Sequence, residues 1–185
     1  ERCLQMAQEL DCPLLAAPPF GIHDRVVDLK KVPARYAAVL DLAAKYGVTP
    51  VLEYWGISKT LGTTGEALFV ASECGRPGVK ILADVYHMWK GSGHHRGFEH
   101  FGPSVLGLVH VNDYPEVPSR DAITDADRVY PGDGLADWKQ IALNLTAIEY
   151  DGYLSLELFN ENYWERGPEA VSREGLAKLR ACLEG

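Results

Sequence analysis

Much of what this 185-residue sequence lacks is informative, because each absence removes a class of protein. Basic side chains are outnumbered: 18 Lys and Arg against 26 Asp and Glu leave a formal net charge of −8. A field of that sign repels phosphate, which argues against non-specific attraction to nucleic acid or an anionic membrane, though not against a local basic site. No apolar run approaches the roughly 20 residues a membrane helix needs, and the first residues do not read as a signal peptide. The four cysteines, Cys3, Cys12, Cys74 and Cys182, form no CxxC pair. Neither a zinc ribbon nor a thioredoxin-like motif is indicated, and reduced thiols in a cytoplasmic protein are expected. The glycine fingerprints GxGxxG and GxxxxGK[ST] are missing as well, which weakens a nucleotide-binding open sheet.

What is present is a periodic, moderately apolar chain, 46% hydrophobic, enough for a substantial core. It opens with "ERCLQMAQEL", the middle of an amphipathic helix with Leu4, Ala7 and Leu10 at helical spacing. That opening is expected of a piece of a longer protein. Strand-like and helix-like segments then alternate. Strands are predicted near residues 12–17, 48–53, 79–84, 105–110 and 152–157. The intervening helices carry recognisable signals: Gly47 as a stop, a Thr63/Glu66 capping box, a stop at Gly75, Asp137 as an N-cap and Pro168 in a first turn. A connection of roughly 25 residues, 113–136, is long for a compact domain and reads as functional. Alternation of this kind predicts an α/β fold with a parallel sheet, either doubly wound or a (β/α) barrel, and no linker divides the chain into domains.

The strand ends carry the chemistry. "VLEYWG" ends at Glu53, "ILADVYH" at Asp84 with His87 beyond, "LGLVHVND" at His110 and "LSLELF" at Glu157. Side chains alternate along a strand, so Leu82 shares a face with Asp84, Leu108 with His110, and Tyr153 and Ser155 with Glu157. If Leu154 and Leu156 meet the helices, Glu157 points into the mouth of the sheet. Any one acid alone reads as a cap on the next helix, and His110 alone as an interior histidine. Four on consecutive strand ends form a mixed oxygen and nitrogen set suited to Mn²⁺, Mg²⁺, Co²⁺ or Zn²⁺. Three carboxylates without an ion would repel one another. His94 and His95 read as loop or helix-start residues. Trp55, Trp89, Tyr130 and Tyr163 stand near strand ends, as pocket walls or as packing.

The motifs "LEYWG", "ADVYHMW", "VHVND", "DADRVYPGDG" and "SLELFNENYW" resemble the xylose-isomerase-like barrels of sugar isomerases, epimerases and inositol-catabolism enzymes. The resemblance covers nearly the whole chain from "DCPLLAAPP" onward, and its last blocks look most like inosose isomerases. It implies a (β/α)8 TIM-barrel type of fold, with 1–185 as one partial domain. It implies one divalent ion held by Glu53, Asp84, His110 and Glu157, with Glu53 and Glu157 also catalytic, and substrate contacts from His87 and Arg128. The implied chemistry is a carbonyl–hydroxyl shift on a keto-inositol or related sugar through an enediolate. The alternatives are a dehydratase on the same site, or a non-catalytic remnant that binds a polyol or a protein. A three-metal endonuclease of the same superfamily has a histidine where this chain has Val129, which argues against nuclease activity and a nucleic-acid partner.

Only five strands are countable, against eight in about 250 residues for the barrel. The first three strand–helix units are expected to be absent. Five strands leave two open edges, so marginal stability or self-association as a homo-oligomer is expected.

Overall fold

The computed structural model describes residues 1–184 and is an α/β structure with five parallel strands, β1 (Leu14–Ala17), β2 (Thr49–Glu53), β3 (Lys80–Asp84), β4 (Leu106–Val111) and β5 (Leu154–Leu156). They lie side by side in chain order, β1-β2-β3-β4-β5. The helices are α1 (Arg2–Glu9), α2 (Val32–Ala43), α3 (Thr64–Glu73), α4 (Val85–Ser92), α5 (Trp138–Ala147), α6 (Glu161–Trp164) and α7 (Pro168–Glu184). The alternation read from the sequence is therefore the observed one. The strands are one or two residues shorter at several ends, β4 runs one residue further, and Glu157 lies just beyond β5. Its amide still donates to Val111 O at 3.2 Å, so it continues the ladder.

The capping signals act as their chemistry predicts. Thr63 Oγ1 accepts from Glu66 N, and Glu66 Oε2 returns to Thr63 N at 3.1 Å. Asp137 accepts from Gln140 N at 3.0 Å. Gly47 ends the turn after α2 with φ +67°, a conformation that favours glycine. The helices cover one face of the sheet. Leu52, Ile81, Ala83, Val109 and Val111 meet Ala67 and Val70 of α3, Ile141 and Leu145 of α5 and Leu179 of α7 in one core. Full burial of such a side chain stabilises by about 1.5–3 kcal/mol. Leu154 and Leu156 join it, and Gly175 of α7 lies so close to Leu156 that an added Cβ would approach its Cδ2 to 2.3 Å. Among the described residues no helix is long and apolar enough to cross a membrane.

Two features position the strand ends. The first is an irregularity between β3 and β4: Ile81 pairs with Leu106 but Leu82 pairs with Leu108, so Gly107 is an extra residue. Without it Asp84 would stand beside Val109. With it Asp84 stands beside His110. A Cβ on Gly107 would lie 2.7 Å from both Lys80 Cβ and Val51 Cγ1. The second is Asp113, fully buried at the start of the long connection. Its carboxylate accepts from Tyr114 N, Gly132 N, Ala136 N and Trp138 Nε1, at 2.8 to 3.0 Å, and its backbone bridges Val129. One carboxylate thus fastens both ends of the 113–136 segment. Gly107→Val is expected to cost about 1–3 kcal/mol through overpacking, read as a lower midpoint in urea denaturation; an unchanged midpoint would show that the bulge has room to spare.

Candidate metal and substrate site

Asp84 does two jobs with one carboxylate. Oδ1 accepts from His87 N at 2.7 Å and caps α4; Oδ2 turns into the sheet mouth. There it meets Asn112 Nδ2 at 2.9 Å and Arg128 Nη1 at 3.2 Å, and it lies 3.8 Å from His110 Nδ1. Glu53 Oε1 is also 3.8 Å from that nitrogen and Glu157 Oε2 is 3.2 Å from it. Glu53, His110 and Glu157 offer ligand atoms that all lie within 4.8 Å of one another. Asp84 stands just outside that trio, on the His110 side.

The donor set suits a divalent ion. It consists of carboxylate oxygens and an imidazole nitrogen from the ends of β2 and β4 and from just beyond β5. His110 Nδ1 is buried yet has no partner in hydrogen-bonding geometry, an orphan that an ion would satisfy.

Electrostatics follow from crowding acids in a place with little water. Burial pushes the Glu53 carboxyl up to about 7, aided by Asp84 and Glu157 and opposed by His110. Burial pulls His110 down, but Glu157, Asp84 and Glu53 outweigh it and leave the imidazole above its ordinary value. Burial also works against ionised Asp84 and Glu157. For Asp84 it is overcome by Arg128 and His110 with the hydrogen bond from the His87 amide, and for Glu157 chiefly by His110, so both stay below the usual carboxylate range. His87 is held down by burial and is neutral. Its Nε2 accepts from Arg128 Nη2 at 3.0 Å, which puts its proton on Nδ1, a buried donor without a partner.

Arg128 is the centre of this network. It is buried, with its guanidinium over the rings of Tyr86 at 4.5 Å and Phe159 at 5.3 Å. Nη1 bonds Asp84 and, at 2.8 Å, Glu157; Nη2 bonds Asp125 and His87. The loop that delivers it is clamped to α4. Tyr86 Oη donates to Ile123 O, Lys90 Nζ bonds the carbonyls of Arg120, Asp121 and Ile123, and Trp89 stacks on Tyr114 at 3.7 Å.

A cavity of about 350 Å³ opens over these groups. Its polar lining is Glu53, His87, Asp125, Arg128 and Glu157. Its apolar lining is Phe20, Trp55, Ile57 and Phe159. Of the aromatics singled out from the sequence, only Trp55 lines it. Trp89 is occupied by Tyr114, and Tyr130 pairs with Tyr163 at 4.3 Å. His94 and His95 lie in the turn after α4. Sequence reasoning missed Asn112 and Asp125. Asn112 had a signal, since it lies two residues beyond His110 on the same face of the strand. Asp125 had none: in "DADR" the structure makes Asp127 the cap of the turn, accepting from Thr124 N at 2.8 Å, and gives Asp125 to the site.

Acids and an imidazole gathered at the C-terminal ends of parallel strands occupy the place where parallel α/β sheets carry their sites. Residues 1–182 match the family described as the xylose isomerase-like TIM barrel, and the chain belongs to that family. It is 26% identical over 170 residues to an inosose isomerase of Halalkalibacterium halodurans, covering 90% of this chain and 60% of that one. It is 28% identical over 184 residues to an inosose isomerase of Bacillus velezensis, covering 97% and 65%. The chain thus spans about three fifths of the length of these relatives. Among solved structures it resembles an IolI protein with a bound zinc atom at TM-score 0.88 and 21% identity, over 98% of this chain and 66% of that one. It resembles an L-ribulose 3-epimerase at TM-score 0.77 and 21% identity, over 99% and 65%.

The raised Glu53 carboxyl has a signed consequence. A folded-state pKa of about 7 against an ordinary 4.5 stabilises the fold fully below the lower value and is lost as pH rises through the higher one. His110, also raised, acts in the same direction. In chelator-treated protein, thermal stability should fall between about pH 5 and 8, with at most about 3 kcal/mol from Glu53. Glu53→Gln should flatten that slope and be the more stable form at pH 8.

Proposed function

We propose that this chain carries the metal centre of a divalent-metal-dependent isomerase or epimerase that acts on a keto-inositol or a related sugar. The observation that carries the reading is the convergence of Glu53, His110 and Glu157, with Asp84 beside them, at a cavity lined by both polar and apolar side chains. The names of the relatives, inosose isomerases and an L-ribulose 3-epimerase, and the zinc of the IolI structure support the substrate class and the ion.

Glu53, Asp84, His110 and Glu157 would hold the ion. When bound, it polarises a carbonyl and an adjacent hydroxyl as a Lewis acid and offsets the negative charge of the ligand set. The residues do the rest. Glu53 at the end of β2 and Glu157 beyond β5 flank the cavity. One takes the proton from the hydroxyl-bearing carbon and the other returns a proton to its neighbour, through an enediolate. His87 presents its Nδ1 proton to a substrate oxygen, and Arg128 fixes the polar edge of the ring. Phe20, Trp55, Ile57 and Phe159 face the C–H side of the ring and keep water from the carbanion-like intermediate.

The test begins with Mn²⁺ calorimetry on chelator-treated protein. Binding that weakens at least tenfold in Glu157→Gln, with circular dichroism unchanged, is the expected result. Incubation with 2-keto-myo-inositol in D₂O should then exchange one carbon-bound proton without loss of mass as water. A folded chain that binds no Mn²⁺ would overturn the metal centre, and loss of water would make the enzyme a dehydratase.

A further inference from the structure

The two oxygens that Arg128 Nη1 touches are two of the three carboxylate oxygens that face His110 Nδ1. Glu157 Oε2 lies 2.8 Å from Nη1 and 3.2 Å from His110 Nδ1. Asp84 Oδ2 lies 3.2 Å from Nη1 and 3.8 Å from His110 Nδ1. A charge-assisted bond to a guanidinium draws electron density from the oxygen and places a fixed positive charge beside it. Both effects oppose a dication on that same oxygen. The guanidinium is held in place, because it packs over the rings of Tyr86 and Phe159 and its side chain is 1% exposed. Its other arm has one anionic partner outside the ligand set, Asp125, whose side chain is 36% exposed. His87, whose Nε2 accepts from Nη2 and so carries no proton there, supplies no countercharge.

We propose that Arg128 is a built-in competitor for the metal, and that Asp125 sets the strength of the competition. Arg128 acts as the resident counter-ion of Asp84 and Glu157 and holds their affinity for a divalent ion down. Asp125 shares the guanidinium and so relieves those oxygens. The inference rests on the metal reading of the site and adds a control on its affinity. Its physical logic predicts opposite signs for two substitutions on one loop. Without the guanidinium, the ligand set keeps its full negative charge for the ion. Without the Asp125 charge, the guanidinium is left to Glu157 and Asp84 alone.

The experiment is Mn²⁺ calorimetry on chelator-treated wild type, Arg128→Met and Asp125→Asn, with circular dichroism and thermal unfolding with and without Mn²⁺. Arg128→Met should bind Mn²⁺ at least tenfold more tightly. It should melt lower than wild type without the ion and gain more on its addition. Asp125→Asn should bind severalfold more weakly. Affinities of both variants within twofold of wild type, or a folded Arg128→Met that binds more weakly, would overturn the proposal. If Arg128→Met does not fold, Asp125→Asn decides: an unchanged or tighter affinity sinks the competition. Absence of binding by folded wild type would remove the metal reading and this inference with it, whereas binding by wild type with no shift in the variants removes this inference alone.

Discussion

Three carboxylates, Glu53, Asp84 and Glu157, are aimed at one imidazole nitrogen in a place mostly shielded from water. Like charges at that spacing and low local dielectric cannot all remain uncompensated. The surrounding structure answers in three ways. Glu53 is pushed toward neutrality by burial and by its acidic neighbours. His110 is pushed toward the cation by the same acids. Arg128 is buried beneath them and bonds two of the three. Each device is one a bound dication would replace, which is why the arrangement reads as a metal site.

The rest of the fold serves this convergence. A parallel sheet places the ends of successive strands side by side, and the helices on its other face supply the core that holds them there. Gly107 shifts β4 by one residue so that His110, and not Val109, stands beside Asp84. Asp113 ties down the 113–136 segment, and α4 clamps its middle through Tyr86, Trp89 and Lys90. The rigidity is needed because Arg128 is the buried countercharge. A mobile loop would leave Asp84 and Glu157 unpaired in a dry environment, at a cost of several kcal/mol. The long connection is therefore part of the electrostatic balance of the site rather than a simple cover.

Much of this was legible before any coordinates. Period-two alternation put Leu154 and Leu156 on the face opposite Glu157, and both leucines, half-buried, pack against the core. Thr63 and Asp137 announced their helices through local hydrogen-bonding chemistry, and Pro168 through its fixed φ, signals that a few residues suffice to define. Asp84 was open to two readings, a helix cap or a site residue; one of its oxygens caps α4 and the other faces Asn112 and Arg128. Less legible were the aromatics. Trp55, Trp89, Tyr130 and Tyr163 look alike in a sequence, yet only Trp55 reaches the cavity, because packing partners such as Tyr114 are set by chain crossings far from each tryptophan or tyrosine.

The sequence by itself determined the element order, the parallel α/β class and the polar residue at each strand end, since these depend on periodicity and on neighbours a few positions away. Only the tertiary structure decided which of those residues meet. The Gly107 bulge, the choice of Asp125 over Asp127 and the seating of Arg128 on Asp84 and Glu157 join positions up to 44 residues apart. Coulomb interaction depends on distance through space, and no local pattern encodes that distance.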